Sequence, residues 1–104
     1  MTKKKLLKEI KSHLTAAYHD RLRGIVLYGS EARGSTGADS DIDVLVLLDG
    51  PMDYGRDLET NLAVLYPLSL KLGRRISAKP ATVSEYENLD CPLYQNVHRE
   101  GIMI

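Results

Sequence analysis

The segment Ile42-Asp43-Val44-Leu45-Val46-Leu47-Leu48 limits what this chain can fold into more than any other stretch does. A strand with one wet face alternates apolar and polar residues, yet past Asp43 every position here is apolar. Such a run suits an interior strand covered on both faces, closed at its far end by Asp49-Gly50-Pro51. A second short run, Gly24-Ile25-Val26-Leu27-Tyr28, stops at Gly29 and reads as another buried strand.

Helical spacing surrounds these strands. Leu6, Leu7, Ile10, Leu14 and Tyr18 recur at three- and four-residue steps, which predicts an amphipathic helix over residues 3–19. Leu58, Leu62, Leu65 and Leu72 predict another over residues 53–72, kinked or split at Pro67, with Gly73 as its left-handed stop. Residues 75–79 read as a third strand. Ser84 with Glu87 three residues on is a candidate capping box, and Pro92 opens a last helical segment that Gly101 ends. Residues 30–40 are small, polar and turn-forming, with one helical turn starting near Ser30. The order α-β-turn-β-α-β-α predicts an α/β (α+β) fold, a small mixed β-sheet packed against helices. With 104 residues and no repeat or low-complexity linker, the expectation is one domain over residues 1–104.

A domain of this size exposes a large share of its surface, so association with a second copy or a partner subunit is a reasonable expectation. Lys plus Arg equals Asp plus Glu at 14 each, which leaves no net field to attract nucleic acid or an anionic membrane. Direct nucleic-acid binding is further disfavoured because no pattern of interleaved aromatic and basic residues is present. Lys3, Lys4, Lys5, Lys8 and Lys11 crowd one segment and read first as a solvated helix face, second as a patch for nucleic acid or an acidic partner. The single cysteine, Cys91, can form no internal disulfide. No apolar run is long enough to cross a bilayer, and no signal-peptide pattern follows the lysines, so the expected compartment is the cytoplasm. His13, His19 and His98 fall in no ligand motif and read as surface or packing residues, as the six tyrosines read as packing and interface anchors.

The chemistry concentrates between Gly29 and Asp43. Asp41 and Asp43 are separated by one residue, so on a strand both carboxylates project from the same face. Like charges so close are unfavourable unless a cation lies between them, and Mg²⁺ is the usual solution. Gly29 lets a phosphate approach the backbone, Ser30 offers a hydroxyl and helix-start N–H groups, and Arg33 can add charge-assisted bonds. Together they outline a metal and nucleoside-triphosphate site.

Gly29-Ser30-x-Ala32-Arg33-Gly34 followed by Ser40-Asp41-x-Asp43 resembles the Gly-Ser-x(10)-Asp-x-Asp motif of the DNA polymerase β-like nucleotidyltransferase superfamily. In length the chain is similar to that superfamily's minimal nucleotidyltransferase domains. The resemblance implies that Gly29 and Ser30 hold the triphosphate and that Asp41 and Asp43 coordinate Mg²⁺ (or Mn²⁺). It implies attack by an acceptor hydroxyl on the α-phosphorus of ATP or another nucleoside triphosphate, with release of pyrophosphate. Such domains are often paired with small helical HEPN-type proteins, and some act as antitoxins that transfer AMP to a tyrosine of the toxin. The closing Tyr94-Gln95-Asn96-Val97-His98-Arg99-Glu100-Gly101 is similar to the terminal helix of some of them.

At one position the chain departs from that pattern. Active members generally carry a third carboxylate on the next strand, where this chain reads Arg75-Ile76-Ser77-Ala78-Lys79 and offers Ser77. Serine is a poor general base at neutral pH, and Lys79 would bring positive charge to the same face. The missing carboxylate could come from Asp39, from Glu85 or from a partner. Otherwise the chain is a non-catalytic antitoxin or interaction subunit that keeps only nucleotide and metal binding.

Overall fold

The computed structural model describes residues 2–29, 32, 41–88 and 90–104. Helix α1 (Lys3–Tyr18) starts where the Thr2 hydroxyl accepts the Lys5 N–H at 3.2 Å. After a short 3₁₀ turn come β1 (Leu22–Tyr28) and β2 (Ile42–Leu48). Helix α2 (Tyr54–Leu72) leads to β3 (Ile76–Thr82), followed by α3 (Val83–Glu87), α4 (Pro92–Glu100) and the two-residue β4 (Ile102–Met103).

The four strands form one mixed sheet in the order β3-β2-β1-β4. β1 runs antiparallel to β2 and β4, whereas β2 and β3 are parallel, joined by α2 as the crossover. β2 therefore lies inside the sheet, as its unbroken apolar run predicts. On one face Ile25, Leu27, Val44, Val46, Leu48 and Ala78 pack with Leu6, Ile10 and Leu14 of α1 and Leu65 and Leu68 of α2. On the other, Val26, Leu45, Leu47 and Ala81 pack with Val97 of α4 and the half-buried Val83, Tyr86, Leu93 and Tyr94. His98 belongs to this second layer as a packing group, stacked on the Tyr86 ring at 4.0 Å. α4 ends against β1 at Gly101, where an added Cβ would collide with Val26 and the Val97 carbonyl.

Three local expectations are corrected. α2 is continuous through Pro67 rather than split. The carbonyl that loses its donor there belongs to Ala63, which is exposed, so water can satisfy it, while Leu65 and Leu68 stay anchored in the core. The leucine spacing marks the helix but coincides with only part of its buried face. That face runs through Asp57, Asn61, Leu65 and Leu68, and leaves Leu62 exposed. The capping box is Thr82 with Glu85, two residues ahead of the predicted pair. Gly73 does stop α2 in the left-handed conformation, at φ 64°.

Burying Asp57 and Asn61 requires partners for them. Arg21 grips Asp57 with both guanidinium ends, at 3.2 and 3.1 Å. The Tyr18 hydroxyl meets the Asp57 carbonyl at 3.0 Å and the Asn61 side-chain oxygen, while Asn61 Nδ2 donates to the Ala78 carbonyl at 3.0 Å. This network ties the end of α1 to α2 and β3. Burial, with the Asp57 charge second, pushes the Tyr18 hydroxyl up to about 12.

Candidate functional site

Because β1 and β2 are antiparallel, the end of one lies beside the start of the other, and Tyr28 pairs with Asp43. Because β2 and β3 are parallel, Asp43 also pairs with Ser77. The row Tyr28–Asp43–Ser77 crosses three strands, and directly paired residues share a face. That face continues into Val26, Leu45 and Leu47, which α4 covers. Asp43 is half-buried, and Asp41, just ahead of β2, is exposed.

Gly29 completes the arrangement. Its φ is 75°, in the region side chains rarely adopt, and a Cβ added there would lie 2.6 Å from Asp43 Oδ2. Only a residue without a side chain lets the Asp43 carboxylate sit this close to the backbone at the strand end. Two carboxylates one residue apart at the open end of a strand, one exposed and one seated against bare backbone, are a donor set suited to a hard divalent cation. Among the described residues no group of three or more His, Cys, Asp or Glu comes together, here or elsewhere, so the described acidic donors at this strand end are these two carboxylates.

Of the residues singled out by sequence, Gly29, Asp41 and Asp43 lie together, whereas Ser30, Arg33 and Asp39 fall outside the described residues. Ser77 stands opposite Asp43 across the parallel β2–β3 pair. Lys79 pairs with Leu45 one step inward and is exposed. Glu85 is committed elsewhere: its carboxylate accepts the Thr82 N–H at 2.9 Å, capping α3 beyond the far end of β3.

Tyr28 is the neighbour that sequence reasoning assigned to packing and interface duty. Burial first, and the Asp43 charge second, push its hydroxyl up to about 12, so it remains a neutral donor facing the acidic end of the sheet. Its position as the last strand residue before Gly29 was visible, but its pairing with Asp43 depends on the antiparallel register.

Fold and site define a nucleotidyltransferase-type domain. The chain belongs to the nucleotidyltransferase domain family, whose model matches residues 3–100. A Methanocaldococcus jannaschii protein named as a putative protein adenylyltransferase is 41% identical over 66 residues, covering 64% of this chain and 66% of that relative. A solved structure described as a putative minimal nucleotidyltransferase superposes with a TM-score of 0.60 at 26% identity, over 98% of this chain and 95% of its own. A toxin–antitoxin crystal structure with AMP-PNP aligns over 99% of this chain and 72% of its own, with TM-score 0.63 and 20% identity. At that identity it speaks for the fold alone. Among the described residues no helix is long and apolar enough to cross a membrane.

Proposed function

We propose that this chain transfers a nucleoside monophosphate, AMP from ATP, to a hydroxyl of a partner protein, as the antitoxin of a small helical HEPN-type toxin. The observation that carries this reading is the seating of Asp43 against Gly29, with Asp41 exposed two residues away at the same strand end. Asp41 and Asp43 would hold Mg²⁺ or Mn²⁺, and Gly29, Ser30 and Arg33 would take the triphosphate. A cation bound there supplies charge neutralisation to the phosphates during in-line displacement. The acceptor hydroxyl gives up its proton to solvent as its oxygen bonds to the α-phosphorus, the bond from that phosphorus to the bridging oxygen breaks, and pyrophosphate leaves with the electron pair. Tyr28, neutral at working pH, offers a donor beside the pair without adding charge. The relative named as a putative protein adenylyltransferase supports the choice of a protein acceptor.

A second reading rests on the Asp43–Ser77 pairing. Without a carboxylate at Ser77, activation of the acceptor hydroxyl falls to another group, and a chain lacking one would bind nucleotide and partner without transfer. Label transfer from α-³²P-ATP with Mg²⁺ or Mn²⁺, in the presence of the partner, separates the two readings. Label on the partner that disappears with Asp41→Asn and Asp43→Asn establishes transfer. A complex that forms and silences the partner without label establishes binding alone.

A further inference from the structure

α2 presents a second face that the fold does not use. Leu62, Tyr66 and Leu70, at four-residue steps, are 55%, 60% and 64% exposed. Four-residue steps on a helix make a continuous ridge, and here the ridge turns away from Leu65 and Leu68 in the core. It borders a groove that Ser69, Gly73, Arg74, Arg75 and Ile76 continue toward the start of β3, an edge strand of the sheet. Three large apolar side chains in a row, each more than half exposed, mark an interaction surface rather than scattered surface hydrophobes.

We propose that this ridge pairs with the same ridge of a second copy of the chain, α2 against α2 in antiparallel sense, about a twofold axis near Tyr66. The charges on either side of the ridge select this occupant. Glu59 is exposed, lies one turn before Leu62 and faces the same way. Arg74 and Arg75 follow the helix at the opposite end of the groove. Leu62 and Leu70 are equally spaced about Tyr66, as Glu59 and Gly73 are, so an antiparallel pair sets Leu62 on Leu70 and Glu59 beside the arginines of the other copy. A parallel pair would set Glu59 on Glu59 and arginine on arginine, which repels. Zero net charge removes the general repulsion between copies. A twofold contact is self-complementary by definition, and this ridge meets that condition in both shape and charge. Three side chains and the short groove beside them make a modest contact next to the roughly 800 Å² per partner of stable complexes, so the dimer is reversible and concentration-dependent. Asp41 and Asp43 lie outside this surface, so the pairing stands whether or not the chain transfers a nucleotide.

Sedimentation velocity of the protein alone, from low micromolar to near-millimolar concentration, tests it. The expected result is a weight-average mass rising from 11.6 kDa toward twice that value. Tyr66→Glu should hold the mass at the monomer with an unchanged circular-dichroism melt, since Tyr66 is exposed. Glu59→Arg should weaken association about tenfold, and adding Arg75→Glu should restore it. With Cys91→Ser as background, Tyr66→Cys should cross-link to itself, whereas Leu62→Cys should link to Leu70→Cys and not to itself. A monomer at every concentration overturns the proposal and leaves the ridge to a different protein. Association that Tyr66→Glu does not disturb, or Leu62→Cys linking to itself, overturns it as well.

Discussion

Asp57 and Asp43 are carboxylates near opposite ends of the same sheet, and the chain treats them in contrary ways. Asp57 is 3% exposed and is gripped at both oxygens by Arg21, whose backbone carbonyl bonds to Asp49 just past the end of β2. Its neighbours Tyr18 and Asn61 use their remaining hydrogen-bonding capacity on one another and on β3. Asp43 sits at the start of β2 with Tyr28 and Ser77 as its partners across the strands, and the second carboxylate, Asp41, stands exposed beside it. Where negative charge serves the fold, the sequence supplies its own cation. At the other end two acids adjoin at the start of β2, a donor set that a bound cation and its phosphates can use.

That contrast breaks first at Asp43. Asp43→Asn should cost at least about 100-fold in label transfer with little change in melting temperature. A fall in melting temperature in proportion to the activity would mean that Asp43 is structural, as Asp57 is. Asp57→Asn should do the reverse and lower stability by about 2 kcal/mol in urea unfolding. The Arg21 side chain is 41% exposed and can turn to water, which keeps the loss below that of a fully buried pair. Activity per folded molecule should be unchanged.

The two left-handed glycines sharpen the same comparison. Gly29→Ala strains the backbone and drives Cβ toward Asp43, so about 1–2 kcal/mol of stability and most nucleotide affinity should go together. Gly73 has φ 64° with open space around it, so Gly73→Ala should cost about 1 kcal/mol and leave nucleotide affinity intact. The smallest effect is alkaline. Folding raises the Tyr18 hydroxyl from 10.0 to about 12, so its contribution is full below pH 10 and is lost as pH rises through 12. Tyr18→Phe should flatten that decline in a melting series.

The strands were legible from unbroken apolar runs, and the motif from the period of two in side-chain direction. An unbroken apolar run can only be interior, and one residue between Asp41 and Asp43 fixes their common face. Ser77 was singled out by the family resemblance, and its pairing with Asp43 came only with the parallel register. The buried face of α2 was not legible, since Asp57 and Asn61 turn inward only because Arg21, Tyr18 and the Ala78 carbonyl meet them from distant segments. The leucine spacing marked the helix but mixed its faces, since Leu65 is buried and Leu62 is exposed. Thr82/Glu85 and Ser84/Glu87 both fit a capping box, and only the end of β3 decides between them. β4 is two residues long, and pairing with β1 creates it rather than any local pattern.

The central claim is that Asp41 and Asp43 form a cation-dependent nucleotide site, and calorimetric titration of ATP into the protein tests it most directly. The account predicts binding with Mg²⁺ present that weakens more than about tenfold on chelation and equally in Asp43→Asn, with the folded state unaltered. ATP binding of the same strength with EDTA and in Asp43→Asn would contradict it.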